Sequence, residues 1–474
     1  MGEKNTSSHL PVDALPDSLH AVCQSIGKAG GRAWLVGGCV RDLASGLRPK
    51  DFDLEVYGLS AERLVNIVSP LGRCQHVGKQ FGVLKLWHHG LEIDIALPRQ
   101  EKKTASGHRG FEVSCDPDLT PEAATLRRDF TINAMMLDPL SGALLDLHHG
   151  QEDLRNRVLR HVSPAFGEDP LRPLRAMQFA ARFQLDLASE TAEMCRRMLP
   201  EAPSLPGSRI WQEWQKWAHA PHPSYGMKIL QETGWLGLYP GIHALLHCPQ
   251  DADWHPEGDV WIHTLQVVDQ AARIANRNGL DQETHEYLVF AALCHDIGKP
   301  ETTVSYDNGR IGSPGHSQAG VKLSLQFLQA IHAPKRMGQF VRPLILEHMT
   351  HMHGGPTAHA VRRLAYRLKP ANIELWEMLV EADASGRAPA PASRPALAWL
   401  DLATEMQQNK SEATPILTGQ MLMDLGVSPG PGMGELLKMA YAAQLDGSIH
   451  DQASAISWCL RQLEQKPGKE SPGD

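Results

Sequence analysis

The amino-acid sequence predicts an α+β fold, in which a mixed α/β domain comes first and helical domains follow. Segments typical of strands and segments typical of helices alternate over residues 19–150. From about residue 151 onward, apolar residues recur at helical spacing instead. The 474 residues fit about three or four domains of ~100–200 residues each.

The elements of the first domain follow from its local patterns. Residues 33–38, 52–59, 82–97 and 132–147 predict strands, and residues 16–30 and 60–72 predict helices. We expect four domains, listed by their ranges: 19–150, 151–250, 255–390 and 398–465. The Pro- and Ala-rich residues 387–396 predict a linker between the last two domains.

The composition narrows the class of protein. The hydrophobic fraction of 42% is ordinary for a soluble globular chain, and no apolar run approaches the ~20 residues that span a membrane. Eight scattered cysteines without a Cys-x-x-Cys pair indicate free thiols in a reducing cytoplasm. The net charge of −8 counts against nonspecific nucleic-acid binding, but a few well-placed cations can still form a local basic groove.

The densest chemical motif lies in residues 35–58. Asp51 and Asp53 are two apart in a strand-like segment, so their carboxylates share one face. Two adjacent carboxylates repel each other unless a cation lies between them, and Mg²⁺ suits carboxylate and phosphate oxygens. Gly37 and Gly38 end the preceding strand, where backbone N–H groups can approach phosphate. Asp94, in another predicted strand, is our candidate third catalytic carboxylate, and Glu92 is the less favoured choice.

Residues 35–58 resemble the head domain of the nucleotidyltransferases related to DNA polymerase β, and more closely that of bacterial class II CCA-adding enzymes and poly(A) polymerases. Residues 126–135 are similar to this family's ribose-associated motif, and residues 167–183 resemble its nucleotide-selecting motif, Glu-Asp-x-x-Arg. Gln178 stands where the bacterial pattern often has Arg. The resemblance implies a polymerase β-like head with a mixed sheet and a helical neck and body. It implies nucleotide-binding roles for Gly38, Arg41, Arg127, Arg128, Asp129, Asn133, Glu168, Asp169, Arg172 and Arg175.

The selecting motif also has a physical logic. Cytosine and adenine each present an amine beside a ring-nitrogen acceptor, which a carboxylate and a guanidinium can bind together. Asp169 and Arg172 are three apart in a segment predicted to be helical, so we expect them on one helix face. The alternative is an ordinary ion pair. The family resemblance further implies that residues 98–126 form a flexible loop that takes part in adding the final A, as opposed to a plain surface hairpin.

A second site is predicted in the helical block at residues 255–390. Its candidate metal ligands are His263, His295, Asp296, His316, His348 and Asp383. Imidazole and carboxylate together suit Ni, Mn, Co, Fe or Zn. We expect Gly298 and Pro300 to stop a helix and to leave His295 and Asp296 at an opening. The order His…His-Asp…Asp resembles the HD-domain phosphohydrolases, which implies one or two ions and brings Lys299 near a phosphate.

The two sites together resemble multifunctional bacterial tRNA nucleotidyltransferases. The favoured interpretation is an enzyme that adds CCA to tRNA 3′ ends from CTP and ATP with Mg²⁺, without a nucleic-acid template. Its HD domain would supply 2′,3′-cyclic phosphodiesterase or phosphatase activity for 3′-end repair. The alternatives are an A-adding enzyme or poly(A) polymerase with the same head, and an HD nucleotidase whose head only binds RNA. The expected partners are tRNA, CTP and ATP, with no membrane.

Overall fold

The protein forms two compact units. A computed structural model describes residues 9–13, 15–77, 83–103, 111–387, 389, 391–411 and 413–464. The first unit is Met1–Leu238 and the second is Tyr239–Asp474. The α+β class predicted from the sequence is confirmed: a mixed sheet with helices comes first, and the rest is mostly helical.

The first unit contains all the longer strands of the described residues. Its strands are β1 Arg32–Val36, β2 Phe52–Tyr57, β3 Arg73–Val77, β4 Val83–His88, β5 Leu91–Ala96, β6 Arg99–Lys103, β7 Phe111–Cys115, β8 Met136–Leu137, β9 Leu144–Leu145, β10 Val158–Leu159 and β11 Asp186–Leu187. Its helices are α1 Asp17–Lys28, α2 Gly38–Ala44, α3 Ala61–Val68, α4 Pro121–Thr125, α5 Thr131–Ala134, α6 Gly150–Arg155, α7 Arg172–Phe183, α8 Ser189–Met198, α9 Gly207–Ala218 and α10 Pro223–Glu232.

The second unit is built from helices and one short two-stranded ladder. Its helices are α11 Pro240–His243, α12 Val260–Arg277, α13 Gln282–Cys294, α14 Lys299–Thr302, α15 His316–Ala330, α16 Lys335–Glu347, α17 Ala358–Arg367, α18 Ile373–Ser385, α19 Leu397–Glu405, α20 Gly419–Asp424, α21 Pro431–Leu445 and α22 Gln452–Glu464. Its strands are β12 Val304–Ser305 and β13 Ile311–Gly312. No helix in the ranges described above is both long and apolar enough to cross a membrane.

A seven-stranded sheet in the order β3-β4-β5-β2-β1-β8-β9 organises the first unit. Strands β2 and β5 are parallel, and the other neighbours are antiparallel. One face packs on the apolar side of α1 (Leu19, Val22 and Ile26) and forms the main core of the unit. Because side chains alternate across a strand, Ile93 and Ile95 enter this core while Asp94 points to the other face, as predicted.

Several predicted elements differ from the structure. Residues 132–147 do not form one strand: helix α5 occupies Thr131–Ala134, and only the short strands β8 and β9 follow. Strand β3 lacks a strong apolar alternation and was not predicted. Gly37 and Gly38 do not end a strand, because β1 stops at Val36 and Gly38 begins α2. Gly37 has φ of 73°, a conformation that glycine adopts without strain.

Residues 98–126 contain regular structure where a flexible loop was expected. Strands β6 and β7 pair antiparallel, and helix α4 follows them. Residues 104–110, which connect the two strands, lie outside the described residues. The described part therefore matches the hairpin alternative, while a role in adding A stays a prediction.

Candidate functional site

The carboxylates of the first site lie side by side at the centre of the sheet. In the parallel pairing of β2 and β5, Asp53 is directly opposite Asp94, and Asp51 comes just before β2. Lys85 on β4 lies 2.9 Å from a carboxylate oxygen of Asp94 and 2.5 Å from Glu92. Surrounding protein atoms, and then the negative charges of Asp94 and Asp51, raise the pKa of Asp53 even though part of its side chain reaches solvent. A cation bound beside such a carboxyl group would stabilise its ionised form.

Glu55 continues the acidic face of β2 and was not singled out from the sequence. Its side chain is 4% exposed, and its Oε2 lies 3.2 Å from Arg128 and 3.5 Å from Arg127. The hydroxyl of Tyr57 donates to Oε1 at 2.5 Å. Glu55 thus positions two of the predicted nucleotide-binding arginines beside Asp53. Its place two residues after Asp53 in the same strand was the available indication.

A chain of buried polar side chains joins α2, α5 and α7. Arg41 donates to Asn133 Oδ1 at 2.7 Å, and Asn133 donates to Asp129 Oδ1 at 3.1 Å. Arg175 on α7 donates to Asp129 Oδ2 at 2.9 Å through its Nε. Burial raises the pKa of Asp129, but the charge and hydrogen bonds of Arg175, together with the hydrogen bond from Asn133, outweigh this and lower it. The four predicted residues therefore meet, and they hold three elements together.

The predicted geometry of the selecting motif was wrong. Asp169 does not share a helix face with Arg172, because it precedes α7 in extended backbone (φ −108°, ψ 105°) and Arg172 begins the helix. The Arg172 guanidinium donates to the carbonyls of Ala165 (2.9 Å) and Arg127 (2.6 Å). Asp169 Oδ2 instead accepts a hydrogen bond from Arg209 of α9 at 3.2 Å. Pro170 follows Asp169 directly, and residues before proline disfavour helical backbone.

A cavity of about 820 Å³ collects most of these residues. Its described lining includes Gly38, Arg41, Asp51, Asp53, Arg127, Arg128, Asp129, Asn133, Asp169, Arg172, Arg175, Gln178 and Arg209. Glu168 is not among the described lining residues. Eleven arginines and lysines face five aspartates there, so the wall is cationic around an acidic floor. The whole chain has a net negative charge, but the positive side chains that line this cavity form a basic groove there.

A smaller cavity of about 250 Å³ is also lined by Asp53. It is lined by Asp53, Asp94, Glu55 and the three arginines Arg99, Arg127 and Arg128, together with apolar residues such as Val83. The two cavities share Asp53, Gly37 and the same three arginines. Asp53 therefore borders both cavities.

The second site is formed where five helix ends meet in the second unit. His263 lies in the first turn of α12, which Asp259 caps by accepting from the Ile262 N–H at 2.9 Å. His295 and Asp296 follow α13, His316 begins α15, His348 follows α16 and Asp383 lies in the last turn of α18. Helix α13 ends at Cys294, earlier than predicted, and His295 and Asp296 are 0% and 3% exposed, so they do not lie at an opening.

The six predicted ligands form two connected clusters. In the first cluster His263 and His295 face each other at 3.4 Å between their Nε2 atoms, and His263 Nε2 is 3.0 Å from Asp383. In the second cluster the Nε2 atoms of His316 and His348 are 3.2 Å apart. Asp296 joins the clusters: its Oδ2 lies 3.2 Å from His295 and its Oδ1 lies 3.4 Å from His316. This donor set fits two metal ions bridged by one carboxylate.

Each imidazole is oriented by a hydrogen bond from its Nδ1. His295, His316 and His348 donate to the carbonyls of Ala292, Ser313 and Ile345 at 2.7–2.8 Å. His263 donates to the carboxylate of Glu257 at 2.8 Å. All four Nε2 atoms therefore face the clusters, which is the arrangement of metal-binding histidines. Burial lowers the pKa of His263, but its hydrogen bonds to Asp383 and Glu257 outweigh this and raise the pKa to about 9, so a metal ion would have to displace a proton from this ring.

The electrostatics of the second site suit a cation. Burial alone raises the pKa of Asp296, but the charges of His295 and Lys299 outweigh it and hold the pKa well below the ordinary value. Lys299 Nζ lies 2.7 Å from Asp296 Oδ2, so the predicted phosphate-facing lysine is at the site. Burial lowers the pKa of His348 to about 4, which keeps this imidazole neutral and able to bind a metal.

Three regions of the chain match known protein families. Residues 33–160 match the poly A polymerase head domain. Residues 184–246 match a family described as the probable RNA and SrmB-binding site of polymerase A. Residues 260–382 match the HD domain. The first region contains the three carboxylates Asp51, Asp53 and Asp94, and the third contains the candidate ligands of the second site except Asp383, which lies one residue beyond it.

Solved structures of similar fold cover nearly the whole chain. The CCA-adding enzyme of Bacillus stearothermophilus in complex with CTP is 20% identical, with a TM-score of 0.67 over 95% of this chain and 98% of that chain. The Thermotoga maritima CCA-adding enzyme complexed with tRNA is 18% identical, with a TM-score of 0.58 over 95% and 97%. A CCA-adding enzyme with ATP is 18% identical, with a TM-score of 0.61 over 96% of each chain. At these identities the likeness shows a shared fold.

Proposed function

We propose that this chain is a tRNA nucleotidyltransferase of the class II CCA-adding enzyme and poly(A) polymerase type, which adds CCA from CTP and ATP. The matches to a poly A polymerase head domain, an RNA-binding region and an HD domain support the proposal. The observation that carries the proposal is the pairing of Asp53 with Asp94 on an acidic floor beneath a cationic cavity. The relatives whose structures contain CTP, ATP or tRNA support this choice of substrates.

In this proposal the larger cavity binds the incoming nucleotide. Asp51, Asp53 and Asp94 would hold Mg²⁺, which when bound supplies charge neutralisation and activation of the attacking hydroxyl. The surrounding arginines bind the triphosphate. Asp169, held by Arg209, accepts from the exocyclic amine of cytosine or adenine. Arg172 supports this wall by fixing two backbone carbonyls.

The smaller cavity is suited to the RNA 3′ end. It reaches Asp53 from the Asp94 side and contains Arg99, Arg127 and Arg128, which can neutralise the last phosphate of the RNA. In-line displacement requires the attacking hydroxyl and the leaving group on opposite sides of the reacting phosphorus. Because Asp53 borders both cavities, each reactant would have its own space beside this carboxylate.

For the second site we propose a metal-dependent phosphohydrolase that acts on 2′,3′-cyclic or terminal phosphates. The support is the pair of clusters bridged by Asp296, with Lys299 beside them. A divalent transition metal would bind to the four imidazoles and supply an activated water and charge neutralisation. Lys299 adds a positive charge where a phosphate would approach. Such an activity would clear damaged RNA ends for the first site.

The test offers the purified protein tRNA ending at the discriminator base, at C or at CC, with CTP and ATP supplied separately. We expect CTP incorporation on the first two substrates and ATP incorporation on the third. Addition of A alone, and only to the CC end, would contradict CCA synthesis and favour the A-adding alternative. Long A tails on any RNA would favour a poly(A) polymerase, and no addition at all would favour a head that only binds RNA.

A further inference from the structure

The four histidines of the second site are not anchored alike. Three donate their Nδ1–H to the neutral carbonyl three residues earlier in the chain, at Ala292, Ser313 and Ile345. His263 donates to the carboxylate of Glu257 instead. A carboxylate raises the basicity of the opposite imidazole nitrogen more than a neutral carbonyl does, because it stabilises positive charge on the ring. The two metal positions therefore differ in the strength of their ligands.

Glu257 is a buried group outside the predicted ligand set. Its side chain is 1% exposed. One oxygen, Oε1, accepts from His263 at 2.8 Å and from His255 at 2.9 Å. Its burial and its two histidine partners keep Glu257 in one position, and it lies in the turn that leads into α12. His263 is thus held both by its helix and by this carboxylate.

We propose that Glu257 is a positioning residue that makes the first cluster the tighter of the two metal sites, with His255 bracing it on the same oxygen. The inference rests on the metal centre of the proposed function. His255, Glu257 and His263 could also be viewed as a third metal site, since their donor atoms lie within 4.8 Å of one another. That arrangement would require His263 Nδ1 to give up the proton that it donates to Glu257 while Nε2 serves the first cluster.

The experiment titrates Co²⁺ into the full-length chain after chelator treatment, with excess Mg²⁺ present to occupy oxygen-only sites. Visible absorption and metal content report the histidine-ligated ions without any activity assay. The key variant is Glu257→Gln, which keeps an acceptor and removes the charge, so that His263 becomes like the other three. Glu283→Gln is the matched control, because Glu283 is 59% exposed and far from the ligands in sequence.

We expect two ions in the wild type, bound with clearly different affinities. Glu257→Gln should weaken the tighter step by about 10–100-fold and leave the weaker step unchanged. Glu283→Gln should match the wild type, and Glu257→Asp should recover part of the loss because it restores the charge. Thermal melting of each metal-free variant checks that it is folded, and the Asp variant keeps the test valid if the Gln variant is not.

Three results would overturn the inference: unchanged affinities in Glu257→Gln, equal weakening of both steps, or the loss of a third ion. A wild-type chain that binds no Co²⁺ is a different result, because it would remove the metal centre and the proposed hydrolase with it. The two failures are therefore distinguishable.

Discussion

At the scale of single residues, Asp53 connects the electrostatics of the first site with its proposed chemistry. It faces Asp94 across two parallel strands, and its pKa is raised. A carboxyl group with a raised pKa costs folding free energy once it is ionised, and the cost is absent below its ordinary pKa of 3.8. A bound cation would offset both the loss of solvation and the repulsion by Asp94 that raise this pKa.

We therefore expect Asp53→Asn to abolish nucleotide addition while it raises the melting temperature at neutral pH. Loss of a metal-binding carboxylate removes several kcal/mol of transition-state stabilisation, which is at least about a hundredfold in rate. The gain in melting temperature should shrink as the pH falls towards 3.8. Initial rates of CTP incorporation and thermal melting are the measurements, with the exposed Asp186→Asn as control. Normal rates in Asp53→Asn would refute the catalytic assignment.

At the scale of elements, two arginines near the N-terminus of α7 make different contacts, although the sequence motif assigns both roles to one arginine. Arg172 ties the loop carbonyls of Ala165 and Arg127 to the helix, whereas Arg209 on α9 holds Asp169. In the proposed function, support of the wall and selection of the nucleotide would therefore be carried by different helices.

Arg172→Ala should lower the free energy of unfolding by about 1–3 kcal/mol, because two partly buried hydrogen bonds are lost. It should slow the addition of every nucleotide alike.

Arg209→Ala should leave stability nearly unchanged and increase UTP and GTP incorporation relative to CTP and ATP, because Asp169 is no longer held in place. Urea unfolding and incorporation of all four nucleotides test both variants. If Arg172→Ala relaxes selection and Arg209→Ala does not, then Arg172, and not Arg209, acts together with Asp169 in choosing the nucleotide.

The hydrogen-bonded side chains around Asp129 connect α2, α5 and α7, and we expect their contribution to stability to depend on pH. Asp129 has a lowered pKa in the folded protein, so its stabilisation is present above the unfolded value of 3.8 and is lost as the pH falls through the folded value. Asp129→Asn should lower the free energy of unfolding by about 1.5–3 kcal/mol at neutral pH, the range for hydrogen bonds to a charged group. The difference from the wild type should stay constant from about pH 5 to 8 and narrow below 3.8. A difference that grows on acidification would contradict this account.

At the scale of the whole molecule, each site is complete within one compact unit. The first site uses residues before Leu238 and the second uses residues after Tyr239. Their ligands also differ, because oxygen donors suit Mg²⁺ while imidazole and carboxylate donors suit transition metals.

We expect His295→Ala to remove hydrolysis of 2′,3′-cyclic phosphates and to leave CCA addition to intact tRNA nearly unchanged. Asp53→Asn should show the opposite pattern. Both activities are measured on each variant, and thermal melting excludes misfolding as the cause. Loss of both activities in a well-folded His295→Ala chain would show that the two sites depend on each other.

The sequence by itself determined the α+β class and the strands that carry Asp53 and Asp94, because alternation of apolar residues reports which face of a strand is buried. It also singled out the six histidine and aspartate candidate ligands, because residue type and order along the chain can be read without the fold. The structure brings these ligands together at five helix ends.

Only the tertiary structure decided which side chains are partners. Asp169 pairs with Arg209, 40 residues later, and Glu257 anchors His263 on a turn that no motif marks. The role of Glu55 as an anchor follows only from its contacts with Arg127 and Arg128 in the folded protein. Periodicity and motif spacing describe neighbours along the chain, whereas hydrogen bonds between distant residues depend on how the elements pack, and packing is set by the whole fold.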